Sequence, residues 1–78
     1  MEDDELSYRA LAMLRAVAEG RGRMSSSCEP DLFIDGVPCC DQVTAHTLAH
    51  RGLLRVGADG STAELTPAGR AAILRVAA

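Results

Sequence analysis

Apolar side chains recur at helical spacing in three stretches of this chain. Leu6, Ala10, Met13, Leu14 and Val17 share one face of a helix over residues 4–19. Gly20 and Gly22 stop it, and the acidic run Glu2 to Glu5 lies at its positive end. Tyr8, Leu11 and Ala18 make a second stripe, which is either the rim of a broad core face or a surface for a second copy of the chain. Ala45, Leu48, Ala49 and Leu53 form the inward face of a helix over residues 39–51. Pro38 precedes it, Asp41 favours its first turn, and Arg51 with Gly52 ends it. The third helix, over residues 66–77, starts at Thr66-Pro67, with Thr66 as N-cap. It buries Ala72, Ile73 and Val76 and turns Arg70 and Arg75 outward.

Alternating stretches fill the gaps. Leu53 to Val56 and Thr62 to Leu65 read as strands around the turn signal Ala58-Asp59-Gly60-Ser61. Between Arg21 and Pro38, the Ser25-Ser26-Ser27 run and the two prolines oppose a helix. Asp31 to Asp35 reads there as a short strand before a turn at Gly36. Phe33, the largest apolar side chain, is expected to plug the core. The expected fold class is α+β and winged-helix-like, with three helices and a short two- or three-stranded antiparallel sheet. Residues 1–78 are read as a single domain whose first four residues fray.

Composition adds limits. At 78 residues, with one Phe, one Tyr and no Trp, the core must be built from small aliphatic groups. Cores this slight gain from association, so a homodimer is expected. The net charge of −3 argues against a general polyanion-binding surface. No stretch reads as a secretory signal or as a bilayer span. The odd set Cys28, Cys39 and Cys40 reads as reduced thiols, which places the chain in a bacterial-type cytoplasm, away from membranes.

Two strings carry a family resemblance. Leu48, Gly52, Leu53 and Leu54 close the second helix, and Leu65-Thr66-Pro67-Ala68-Gly69-Arg70 returns the wing into a helix. The segment from Val43 to Leu74 thereby resembles winged-helix regulators of the MarR type and related small bacterial or phage proteins. The resemblance implies a DNA-binding transcriptional regulator without enzymatic activity or cofactor. Its recognition helix would span about residues 39–51 and enter the major groove of double-stranded DNA. Gln42, Val43, His46, Thr47 and His50 would then meet DNA, with Arg51 and Arg55 near phosphates. Two departures stand out. The interval before the recognition helix holds Leu32-Phe33-Ile34 in place of a helix, and the wing carries Asp59 at its tip with Arg55 as its sole base.

Other chemistries are weaker. Cys39, Cys40, His46 and His50 offer thiolate and imidazole ligands, yet their spacing fits no zinc-finger pattern and includes no CxxC. No metal is expected. A Cys40-His46-Asp35 nucleophilic set would need a pocket and an oxyanion site that so small a core hardly provides. The alternative function is a winged-helix module that binds a protein partner. A cluster of Arg21, Arg23, Arg51 and Arg55 would favour DNA. An exposed apolar patch of Val43 and Leu54 would favour a protein.

Overall fold

The computed structural model describes residues 7–25, 31–39 and 41–77; the side chains of Val76, expected to be buried, and Ala77 lie outside the description. It shows three helices and two small antiparallel sheets, a mixed α+β fold. The helices are α1 (Tyr8–Ala18), α2 (Gln42–His50) and α3 (Pro67–Ala77). The strands are β1 (Gly22–Met24), β2 (Leu32–Ile34), β3 (Val37–Pro38), β4 (Leu54–Val56) and β5 (Ala63–Leu65).

Capping sets the helix ends. The Ser7 hydroxyl accepts from the Ala10 amide and starts α1. At the other end Gly20 takes φ +83°, with Arg21 N–H donating to Ala16 O and Gly20 N–H to Val17 O. The same paired closure ends α2, where Gly52 has φ +76°, Leu53 N–H reaches Leu48 O and Gly52 N–H reaches Ala49 O. Helix α2 is shorter than the span 39–51 expected from sequence, because Asp41 is its N-cap and Arg51 its C-cap. Of the expected span 4–19, residues 4–6, Leu6 among them, lie outside the described residues.

The sheets touch through β1. Its partner β2 pairs with Gly22 opposite Ile34 and Met24 opposite Leu32. On its other side, Arg23 bridges Thr62, and Met24 N–H donates to Ser61 O at 2.7 Å. The strands therefore run in the spatial order β3-β2-β1-β5-β4. Strand β1 was not foreseen from sequence. Three residues containing glycine and arginine carry no alternating signature, and the strand exists because it has neighbours on both sides. Gly22 is needed in it. A Cβ there would lie 2.8 Å from Val17 Cγ2 and 3.2 Å from Ala63 Cβ, so α1 could not pack so close.

One apolar cluster joins the inner faces. It contains Met13, Leu14 and Val17 of α1, Met24, Leu32, Ala45, Leu48, Leu53, Leu54, Ala63, Leu65 and Ala72. Leu14, Leu32 and Leu48 are the fully buried large side chains. Gly69 lets α3 approach this cluster, since a Cβ on it would collide with the Leu53 carbonyl oxygen. The Thr66 hydroxyl fastens the same corner, accepting from Gly69 N–H at 3.1 Å and donating to Gly52 O at 2.5 Å.

Three expectations about burial are corrected. Phe33 does not plug the core. The pleat turns Leu32 inward, so Phe33 between it and Ile34 faces out and is half-buried. Leu11 is buried within the chain and offers no face to a second copy, while Tyr8 of the same stripe is 87% exposed. Leu54 is 3% exposed, so no apolar patch with Val43 forms.

Candidate nucleic-acid interface

Helical spacing puts Val43, Thr47 and His50 in one stripe along the outside of α2, continued by Arg51 at its C-cap. All four are exposed, Val43 to 77%. The Thr47 hydroxyl donates back to Val43 O at 2.9 Å, which leaves its oxygen lone pairs facing solvent. No carboxylate pairs with Arg51 among the described residues. The stripe thus offers a small apolar group, a hydroxyl, an imidazole and a cation. These suit a groove floor edged by phosphates.

His46 and Gln42, also expected at this surface, are drawn towards neighbouring segments. His46 is turned partly inward, with Nε2 3.2 Å from Asp31 Oδ1. Gln42 is half-buried, and its amide is fully engaged with backbone. Its Oε1 accepts from Leu32 N–H, and its Nε2 donates to Leu32 O and to Cys39 O, each at 2.9 Å. No local pattern announces this, because a glutamine in the first turn of a helix is ordinarily a surface residue.

The start of α2 is held firmly. The Asp41 carboxylate accepts from Thr44 N–H at 3.0 Å and from the Thr44 hydroxyl at 2.6 Å. Arg9 reaches across from α1 to the same carboxylate at 3.1 Å. Hydrogen bonds from the Thr44 hydroxyl and amide, with the Arg9 guanidinium, lower the Asp41 pKa to about 2.

The wing, β4–β5, follows α2 directly. Its loop is built on Asp59, which accepts from Ser61 N–H at 2.9 Å, Thr62 N–H at 2.8 Å and the Thr62 hydroxyl at 2.5 Å. These bonds, the Thr62 hydroxyl foremost, bring its pKa down to about 2. The wing therefore keeps a negative tip. Arg55, the expected phosphate contact, lies across from Glu64 in the ladder and pairs with it at 3.4 Å. Strand alternation places that pair on the outer face.

Four further arginines line two depressions that share Gly20. Arg21, Arg23, Phe33 and Asp35 line one of about 490 Å³, and Arg55, Glu64 and Arg70 line part of the other, of about 420 Å³. Arg21 is already neutralised. Its Nε and Nη2 donate to Asp35 at 2.9–3.1 Å, and its Nη1 lies 2.7 Å from Glu19. That geometry raises the Arg21 pKa and lowers that of Asp35. Arg23 lies 3.4 Å from the hydroxyls of Ser61 and Thr62. The four arginines expected to cluster do so only in part, since Arg51 stands apart on α2.

Among the described residues, no group of three or more His, Cys, Asp or Glu could hold a metal ion, and no helix is long and apolar enough to cross a membrane. Cys39 is partly buried and packs against the core. Cys28 and Cys40 lie outside the described residues, and with them the Cys39-Cys40 ligand set and the Cys40-His46-Asp35 set. Comparison with protein-family models, with curated proteins and with solved structures finds no match.

Proposed function

We propose that the chain is a small winged-helix-type DNA-binding regulator, with α2 as the helix that enters the major groove. The observation that carries this reading is the outward stripe Val43-Thr47-His50-Arg51, free of carboxylates on α2 itself and followed at once by an antiparallel wing. The Arg23–Thr62 bridge supports it, because it sets β1 beside the loop end of the wing as a third strand. The burial of Leu54 removes the apolar patch that a protein-binding reading called for. The chain acts as a homodimer. Tyr8 on α1 and Leu74 on α3, 87% and 69% exposed, are apolar groups that a second copy would cover.

Charge makes the binding distinctive. With Arg55 and Arg21 paired to carboxylates, Arg51 is the clearest phosphate contact in each protomer. One contact gives a slope of log K against log salt of about −0.9, and a dimer about −1.8. Such a protein depends on groove contacts more than on general attraction to phosphates.

Titration of random and selected duplexes at several salt concentrations tests this. Arg51→Ala should weaken binding to every sequence and flatten the slope by about 0.9 per lost contact. Thr47→Ala should alter which sequence is preferred and leave the slope unchanged. His46→Ala should act less directly, since its ring is paired with Asp31. Absence of any duplex binding at low salt would refute the DNA reading and favour the protein-partner alternative.

A further inference from the structure

The β2–β3 ladder lacks one rung, and Gln42 supplies it. Phe33 lies opposite Pro38 and Ile34 opposite Val37, so the next pair outward is Leu32 with Cys39. In an antiparallel ladder such a pair exchanges two backbone hydrogen bonds. One is present, from Cys39 N–H to Leu32 O at 3.0 Å. In place of the other, the Gln42 amide is inserted between the two strands. Leu32 N–H donates to Gln42 Oε1, and Gln42 Nε2 donates onward to Cys39 O and back to Leu32 O. The side-chain amide behaves as one more peptide group, and it is anchored to the first residue of α2.

From this geometry we infer that Gln42 is a positioning residue, which completes the β2–β3 ladder and fixes α2 against it. The hairpin occupies the interval where a helix would precede α2 in the winged-helix pattern. A packed helix would hold α2 by apolar contact, but β3 is two exposed residues long and offers little. Three hydrogen bonds from one amide take over that task. Asp41, the preceding residue, ties the same end of α2 to α1 through Arg9. The start of α2 is thus pinned to both sides, and its outward stripe is aimed by those pins. The consequence for DNA rests on the function proposed above, whereas the ladder role does not.

Gln42 carries the only side-chain amide in the sequence, which has no Asn and no other Gln. Its two Nε2 protons therefore give a single, unambiguous pair of signals in an amide-correlation NMR spectrum. In the wild-type protein these protons should exchange with water more slowly than a free amide, and Leu32 N–H should be protected. Free-amide exchange at Gln42 would overturn the inference without any variant being made. Gln42→Glu removes both Nε2 donors and sets a carboxylate against two carbonyl oxygens. Leu32 protection should fall in that variant and recover towards about pH 4, where a protonated carboxyl can donate again. Binding to all duplexes should weaken by the fraction of molecules with α2 undocked, about tenfold, with an unchanged salt slope. A changed base preference with Leu32 protection intact would make Gln42 a base reader and overturn the inference. If wild-type protein binds no duplex, the DNA reading fails, and the two exchange measurements still decide the ladder role.

Discussion

The wing and the β2–β3 hairpin are both tight antiparallel pairs with an aspartate at the turn, yet they are closed by different means. In the wing, Asp59 binds Ser61 and Thr62, two and three residues away. In the other hairpin, Asp35 itself occupies the turn at φ +57°, followed by Gly36 at φ +82°, the double positive φ of a type I′ turn. Its carboxylate looks outward to Arg21, fourteen residues back, and the open end of the ladder is filled by Gln42, ten residues after Leu32. One hairpin is shaped chiefly by its own loop. The other is assembled by neighbours, and so its integrity reports on the packing of α1 and α2.

The strongest way to break this contrast is at the core. Leu32 is fully buried at the base of the assembled hairpin. Leu32→Ala should cost about 2–5 kcal/mol in denaturant titration, enough to unfold much of so small a domain. Should it cost less than about 1 kcal/mol, the hairpin is not coupled to the core.

Next come the two turn glycines. Gly36 and Gly60 both have positive φ and open space around them, so alanine brings backbone strain and no collision. Each substitution should cost about 1–2 kcal/mol. Gly36→Ala should in addition speed exchange at Leu32 and Cys39, since that turn sets the register of the ladder. Gly60→Ala should leave those amides unaffected. Equal effects on both would erase the distinction between the hairpins.

Acid sharpens the comparison further. Asp59 and Asp41 have folded-state pKa values of about 2, below the unfolded value of about 3.9. Their stabilisation is therefore complete above about pH 4 and is lost as the pH falls through about 2. Melting temperature should decline over that window. Asp59→Asn, which keeps an acceptor but no charge, should flatten part of the decline by acting on the wing. Asp41→Asn should flatten another part and loosen the start of α2. A decline unchanged in both variants would show that other carboxylates govern acid unfolding.

The smallest effect is expected at the Arg55–Glu64 pair. Both side chains are well exposed and 3.4 Å apart, and such pairs contribute little. Arg55→Ala should leave the melting temperature unchanged within error. Glu64→Gln frees Arg55 and should strengthen duplex binding and steepen its salt slope. No change in slope would mean that the wing does not approach DNA.

Much of the fold was legible because its causes are local. Helical spacing marked Ala10, Met13, Leu14 and Val17, and equally Ala45, Leu48 and Leu53, all of which are buried. Gly52 ended α2, Thr66-Pro67 began α3, and Asp59-Gly60 turned the wing. The outward positions of Val43, Thr47 and His50 followed from the same period. Less legible were the parts that depend on partners. Phe33 has the chemistry of a core residue, yet the pleat register fixed by Leu32 and Ile34 put it outside. Leu11 seemed spare and is buried in its own chain.

The elements that can be read from the chain alone are those whose stabilising groups lie within a few residues: the caps, the glycine closures, the wing turn and the inward faces of the helices. Which polar groups remain available is set by the packing of one element against another. Arg21 and Arg55 read as free cations until Asp35, Glu19 and Glu64 are seen beside them. Gln42 reads as a surface amide until Leu32 and Cys39 close around it. A hydrogen-bonding side chain is defined by its partner. When that partner is brought in by the packing of another element, no local pattern in the chain records it.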